Sequence, residues 1–222
     1  MDYTIIVLIP AMILAFYAQA RVSTAYGRYS SVANRHAVTG AEAARLILDS
    51  NGLSDVPIEV VRGKLTDHYD PRKRIMRLSH EVYGGASIAA VSIAAHESGH
   101  ALQHATGYKP LNVRNTIAPI VSIASNLAWP LLLLGLFTQY VGLFDIGILM
   151  FASVVLFQAV TLPVEYDASA RAIEQLEGLG VIEPEERTGA KKVLSAAALT
   201  YVAAMAMAIA NLLRILMMRN RS

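Results

Sequence analysis

Four stretches without an acidic or basic side chain constrain this chain before anything else does. Residues 3–20, 117–137, 146–162 and 193–213 contain no Asp, Glu, Lys or Arg. A helix of about 20 apolar residues crosses the hydrocarbon core of a bilayer. Charged residues make up 16% of the chain, where a soluble domain carries about a quarter. The expectation is a mainly α membrane protein with about four transmembrane helices.

The competing reading for residues 3–20 is a cleaved signal peptide. It requires a basic start, and Asp2 stands there instead, so we read a retained helix. Residues 117–137 and 146–162 are joined by a short connection and form a transmembrane hairpin, with Pro119 and Pro130 in its first arm. Residues 193–213 are Ala-rich and include Ser195, Thr200 and Asn211. Their weaker hydropathy leaves a soluble-face helix as an alternative, while the small residues suit close packing in a membrane bundle.

Only residues 21–116 read as water-exposed. Tyr26, Tyr29 and Val32 at helical spacing, with Arg21, Arg28 and Arg35, predict an amphipathic helix along the membrane surface. Thr39-Gly40-Ala41-Glu42 is a capping box for a short helix that Asn51-Gly52 ends. Residues 56–61 read as a strand, and Asp70-Pro71-Arg72-Lys73 as the turn of a hairpin between 65–69 and 74–78. The chain is thus expected to divide into a first transmembrane helix (1–20), a small α+β region (21–116), a transmembrane hairpin (117–162), a helical segment (163–192) and a last transmembrane helix with its tail (193–222).

The α+β region ends in His96-Glu97-Ser98-Gly99-His100, an H-E-x-x-H motif. On a helix the two histidines lie one turn apart on one face and can share a zinc ion, while Glu97 is placed to take a proton from water that the ion activates. The helix itself is expected over 86–105, with Thr106-Gly107 as its stop. Its approach, residues 88–95, is almost uniformly apolar, and buried imidazoles and a carboxylate there need a partner such as a metal. The chain has no cysteine, so any metal is held by His, Asp or Glu, the donor set of catalytic zinc sites.

A third protein ligand is then required. His104 is a candidate by spacing, but on a straight helix it sits about 12 Å along the axis from His96, which suits a supporting role. Glu165 is the better candidate, because the hairpin returns the chain to the side it left, near the zinc helix. The competing reading makes Glu165 and Asp167 ordinary acids at a helix start. Asp167 could also orient a ligand histidine through its second ring nitrogen. His68, Tyr166 and Arg171 are candidates for stabilising an oxyanion.

Taken together, the motif at 96–100, the hairpin, Glu165-Tyr166-Asp167-Ala168-Ser169-Ala170-Arg171-Ala172 and the upstream run at residues 65–79 resemble the YugP-like neutral zinc metallopeptidases of bacterial membranes, over essentially the whole chain. The same logic resembles the wider gluzincin group, including the HtpX-like and CAAX prenyl proteases. The resemblance implies a gluzincin-like zinc metallopeptidase domain with His96, His100 and Glu165 as ligands of one zinc per chain, and Glu97 as general base. By analogy it also implies an edge strand that pairs with an extended substrate, for which residues 74–78 are the natural choice. One position departs: those relatives usually carry an aspartate four residues after the third ligand, and Ser169 stands there.

The expected function is a membrane-bound zinc endopeptidase whose partners are a peptide or protein substrate and the lipid bilayer. The net charge of +2 gives no case for nucleic acid. Residues 21–116 carry twelve Lys and Arg and residues 163–193 carry four, which puts the site on the cytoplasmic side of the cell inner membrane. Arg214, Arg219 and Arg221 vote the other way. A zinc-binding scaffold without turnover is the alternative, although such a site has no need of Glu97. A transporter is disfavoured, since no charge lies within the expected spans.

Overall fold

The structure, a computed structural model, describes residues 3–219. After a short 3-10 turn (Tyr3–Leu8) come α1 (Ile9–Ser30), α2 (Gly40–Ser50), β1 (Ile58–Val61), β2 (His68–Asp70) and β3 (Ile75–Ser79). The single turn α3 (His80–Tyr83) follows, then α4 (Ile88–Ala105), α5 (Lys109–Thr138), α6 (Val141–Gly178) and α7 (Arg187–Arg219). Four helical segments are long and apolar enough to cross a membrane: Thr4–Ser30, which joins the 3-10 turn to α1, and α5, α6 and α7, the last three each containing one of the uncharged stretches. The protein is a mainly α, multi-pass membrane protein with a small α+β part.

The contacts divide the described chain into two units. One comprises residues 3–19, 109–163 and 199–219. Large apolar side chains such as Phe16, Ile120 and Leu149 are exposed on it, the surface that lipid rather than water would cover. Inside it, Leu132, Phe144 and Ile215 form a small cluster joining α5, α6 and α7. Gly135 lies against the backbone of Phe144, and Gly147 against Leu132, so small residues set the close approach of α5 and α6. Asp145, which interrupts the apolar run, is paired with Arg219 at 2.7 Å. Pro119 and Pro130 in α5 and Pro163 in α6 end neither helix.

The other unit comprises residues 20–108 and 164–198. Its core is built around α4, whose run from Ile88 to Val91, with Ala94 and Ala95, is buried. That explains why residues 88–95 show no polar face: α4 is packed on all sides. Ser87 caps it by accepting the N–H of Ala90. Ile47 and Leu48 of α2, Met76 and Leu78 of β3, and Leu176 of α6 join the same core. The α2 capping box forms as read, with Thr39 accepting from the Glu42 N–H and Glu42 accepting from the Thr39 N–H.

Three local expectations change. The helix that begins in the first apolar stretch continues unbroken to Ser30, so residues 21–30 extend α1 instead of forming a separate surface helix. Beyond Ser30 the chain is not helical, and Ala33 bridges Ser87. Glu165 and Asp167 lie well inside α6, which removes the helix-start reading of both. The sheet order is β1-β3-β2, with β1 parallel to β3 and β2 antiparallel to it. The hairpin is present, but β3 is its paired centre and cannot be the free edge that residues 74–78 were expected to offer. The edges are β1 and β2.

The crossing of α4 and α6 is set by Gly99. A Cβ built there would stand 2.5 Å from the carbonyl oxygen of Ala168, and a backbone atom cannot swing aside as a side-chain tip can. Gly99→Ala should therefore destabilise the protein by about 1–3 kcal/mol as the helices are forced apart. Gly27, where an added Cβ meets nothing, is the control: Gly27→Ala should leave the thermal midpoint in detergent unchanged or raise it. Equal midpoints for Gly99→Ala and wild type would contradict the close crossing.

A candidate metal centre on two helices

His96 and His100 stand one turn apart on α4, and their rings meet edge to face with centroids 4.7 Å apart. Glu165 of α6 reaches both: its Oε2 lies 3.3 Å from His96 Nε2 and 3.6 Å from His100 Nε2. One donor atom from each of the three lies within 4.8 Å of the others. The Glu165 side chain is only 2% exposed, a cost that a carboxylate bears only with charged or strongly polar partners. Two nitrogens and one oxygen converging in a largely buried place fit a catalytic zinc ion, which takes three protein ligands and keeps a further position open.

The other ring nitrogens are also engaged. Gln103 Nε2 donates to the carbonyl of Val164 at 2.7 Å and to Asp167 Oδ2 at 2.8 Å. Those two acceptors fix the amide orientation, so Gln103 Oε1, 3.0 Å from His100 Nδ1, must accept a hydrogen bond from the Nδ1–H of that ring. A neutral His100 then carries its lone pair on Nε2, facing Glu165. His96 Nδ1 meets the Ser169 hydroxyl at 3.2 Å. The residue four positions after Glu165 therefore touches a motif histidine, as a hydroxyl in place of a carboxylate. Asp167 does not touch His100 itself but acts on it through Gln103.

Burial alone would lower the His100 pKa, but the contact with Glu165 and the nearby Glu97 outweigh it and hold the ring above its ordinary value. Glu97 is buried on the same helix, and its Oε2 accepts the backbone N–H of Tyr69 at 3.0 Å. That N–H belongs to β2 and points away from β3, so the free edge of the sheet adjoins Glu97.

The remaining sequence candidates lie outside the cluster. His104 Nδ1 pairs with the Tyr69 hydroxyl at 3.0 Å. His68 is exposed and bonded to the Thr66 carbonyl. Arg171 donates to Asp167 at 2.7 Å and lies over the Tyr108 ring. Tyr166 is half exposed beside Ser169, at the edge of a cavity of about 430 Å³ between α6 and α7. Gln103 is the contributor that sequence reasoning missed. Its signal was an amide in an apolar helix, three residues after His100 and seven after His96, hence on the motif's own face.

Comparison with known proteins bears on this geometry. A family profile described as "Putative neutral zinc metallopeptidase" matches residues 4–220. The "Putative membrane protease YugP" of Bacillus subtilis (strain 168) is 50% identical over 209 residues, covering 94% of this chain and 93% of that protein. No solved structure matches the chain. With the profile spanning all four apolar helices and both parts of the His–Glu cluster, the chain belongs to this family of neutral zinc metallopeptidases.

Proposed function

We propose that the protein is a membrane-bound zinc endopeptidase of the cell inner membrane that cleaves membrane or membrane-associated proteins near the cytoplasmic face. The observation that carries this reading is the meeting of Glu165 with His96 and His100 beside a buried Glu97. His96, His100 and Glu165 would hold one zinc, which when bound polarises the scissile carbonyl and acidifies water. Glu97 accepts the proton of the attacking water on its carboxylate and returns it to the leaving amine as the C–N bond breaks. The Tyr69 N–H keeps that carboxylate in place. Gln103 and Ser169 hold the imidazoles in orientation from behind.

Substrate class follows from chain continuity. Glu165 comes three residues after Leu162 of the third uncharged stretch, and α5 starts four residues after the last residue of α4. Chains tethered in the same bilayer meet such a site at high effective concentration. The excess of Lys and Arg flanking the site supports the cytoplasmic side. Of the opposing arginines, Arg219 is paired with Asp145, and Arg221 lies outside the described residues.

Elemental analysis and a cleavage assay test the core of this. Wild type should hold about one zinc per chain, and Glu165→Ala should lose it, whereas His104→Ala should keep it. Glu97→Gln should retain zinc while cleavage falls about 10²–10⁴-fold. Zinc retained in Glu165→Ala and lost in His104→Ala would reassign the third ligand. A proton on His100 competes with zinc and, because Glu165 and Glu97 favour that proton, zinc affinity should fall steadily as the pH drops towards about 6.5 and below.

For orientation, Ser54→Cys should be labelled by an impermeant reagent only after the membrane is opened; labelling of intact cells would invert the topology. For substrate class, one cleavable segment can be offered free and fused to a transmembrane helix in reconstituted vesicles. Faster cleavage of the fused form is expected, and equal rates would show that the membrane serves only as an anchor.

A further inference from the structure

The exposed side of α5 carries polar groups that a single membrane span leaves unsatisfied. Asn126 stands near the middle of the uncharged run 117–137, and so near the middle of the bilayer. It is exposed, as is Ser122, one turn before it on the same face. Neither the Asn126 amide nor the Ser122 hydroxyl has a hydrogen-bond partner among the described residues. By contrast, the hydroxyls of Ser125, Ser153 and Thr161 each donate to a carbonyl of their own helix. A hydroxyl is settled in that way. An amide oxygen needs a donor, and the N–H groups inside a helix are already taken.

Pro130 adds to the deficit. It stands four residues on, is itself exposed, and has no N–H, so the Asn126 carbonyl loses the bond that a helix ordinarily gives it. Residue 126 thus gathers two oxygens that need donors and an NH₂ that needs acceptors, and hydrocarbon supplies neither. The occupant of this face must bring a donor and an acceptor at the same depth. A second copy of the chain does so by construction. About a two-fold axis along the membrane normal, residue 126 faces residue 126, and each amide donates to an oxygen of the other. A foreign span would need a matching polar side chain at its own midpoint. The rest of the face suits a helix partner, because Pro119, Ser122, Asn126, Trp129 and Leu133 are all exposed and follow the alternating spacing of a helix–helix seam.

We propose that this face of α5 is the interface of a symmetric homodimer in the membrane, with Asn126 hydrogen-bonded to Asn126 of a second copy. The proposal is separate from the peptidase reading and stands without it. The chain has no cysteine, so one introduced thiol reports contacts without background. Leu133→Cys lies on the seam, and Leu134→Cys, similarly exposed at the same depth, is turned about 100° away. In full-length protein reconstituted into phosphatidylcholine vesicles at low protein-to-lipid ratio, oxidation should join Leu133→Cys copies into dimers and leave Leu134→Cys monomeric. Adding Asn126→Leu to Leu133→Cys should weaken self-association about tenfold, read from the dependence of cross-linking on protein-to-lipid ratio. Asn126→Gln, which keeps donor and acceptor, should cross-link as its parent does. So should Asn211→Leu, which removes an amide that bonds the Met207 carbonyl of its own helix. Equal cross-linking at positions 133 and 134, or cross-linking unchanged by Asn126→Leu, would overturn the proposal. So would a monomer in which Asn126→Leu slows cleavage of a helix-fused substrate, a result that assigns the face to substrate spans.

Discussion

The close crossing of α4 over α6 is the constraint on which the candidate centre depends. Two histidines on one helix are half of a zinc site, and the rest must come from another element brought to within a few ångströms. Gly99, inside the motif, permits that by presenting only hydrogen to the Ala168 carbonyl. The Gln103 amide then bonds across the crossing to the Val164 carbonyl and Asp167. One contact sets the distance and the other fixes rotation about it, so the same geometry that packs the core also aims Nε2 of His100 at Glu165.

Helix periodicity explains which neighbours serve the ligands. Residues four apart on a helix share a face, and residues two apart lie about 200° round. Ser169 is therefore stacked over Glu165 and meets His96 directly, while Asp167 reaches α4 only one turn beyond His100, at Gln103. Both ring nitrogens turned away from the cluster face neutral oxygens. A carboxylate in either place would make the imidazole a stronger donor and hold the metal more tightly. A zinc ion held there would be left more electrophilic and less tightly bound than one with a carboxylate behind either ring.

Much of the fold was legible because charge is so costly in a bilayer. Four uncharged runs announced four helices, and the capping box at Thr39 and the turn at Asp70 marked α2 and the β2–β3 hairpin. The motif histidines followed from spacing, and Glu165 from the hairpin that returns the chain. What failed had physical reasons. Hydropathy marks where a helix meets polar surroundings, not where it ends, so the full lengths of α1 and α6 were hidden. Whether β3 was an edge depended on β1 pairing with it in parallel, a contact that no local pattern encodes. Gln103 was passed over because a lone amide in an apolar helix has no signature until its acceptors on α6 are in place.

The central claim is that two imidazoles from one helix and a carboxylate from another hold one zinc. Zinc X-ray absorption on the loaded, detergent-solubilised protein tests it most directly, since imidazole rings give distinct outer-shell scattering. The account predicts a first shell of nitrogen and oxygen at about 2.0–2.2 Å, with outer-shell scattering from two imidazoles that persists in His104→Ala. Scattering from three imidazoles, or two that fall to one in His104→Ala, would contradict it.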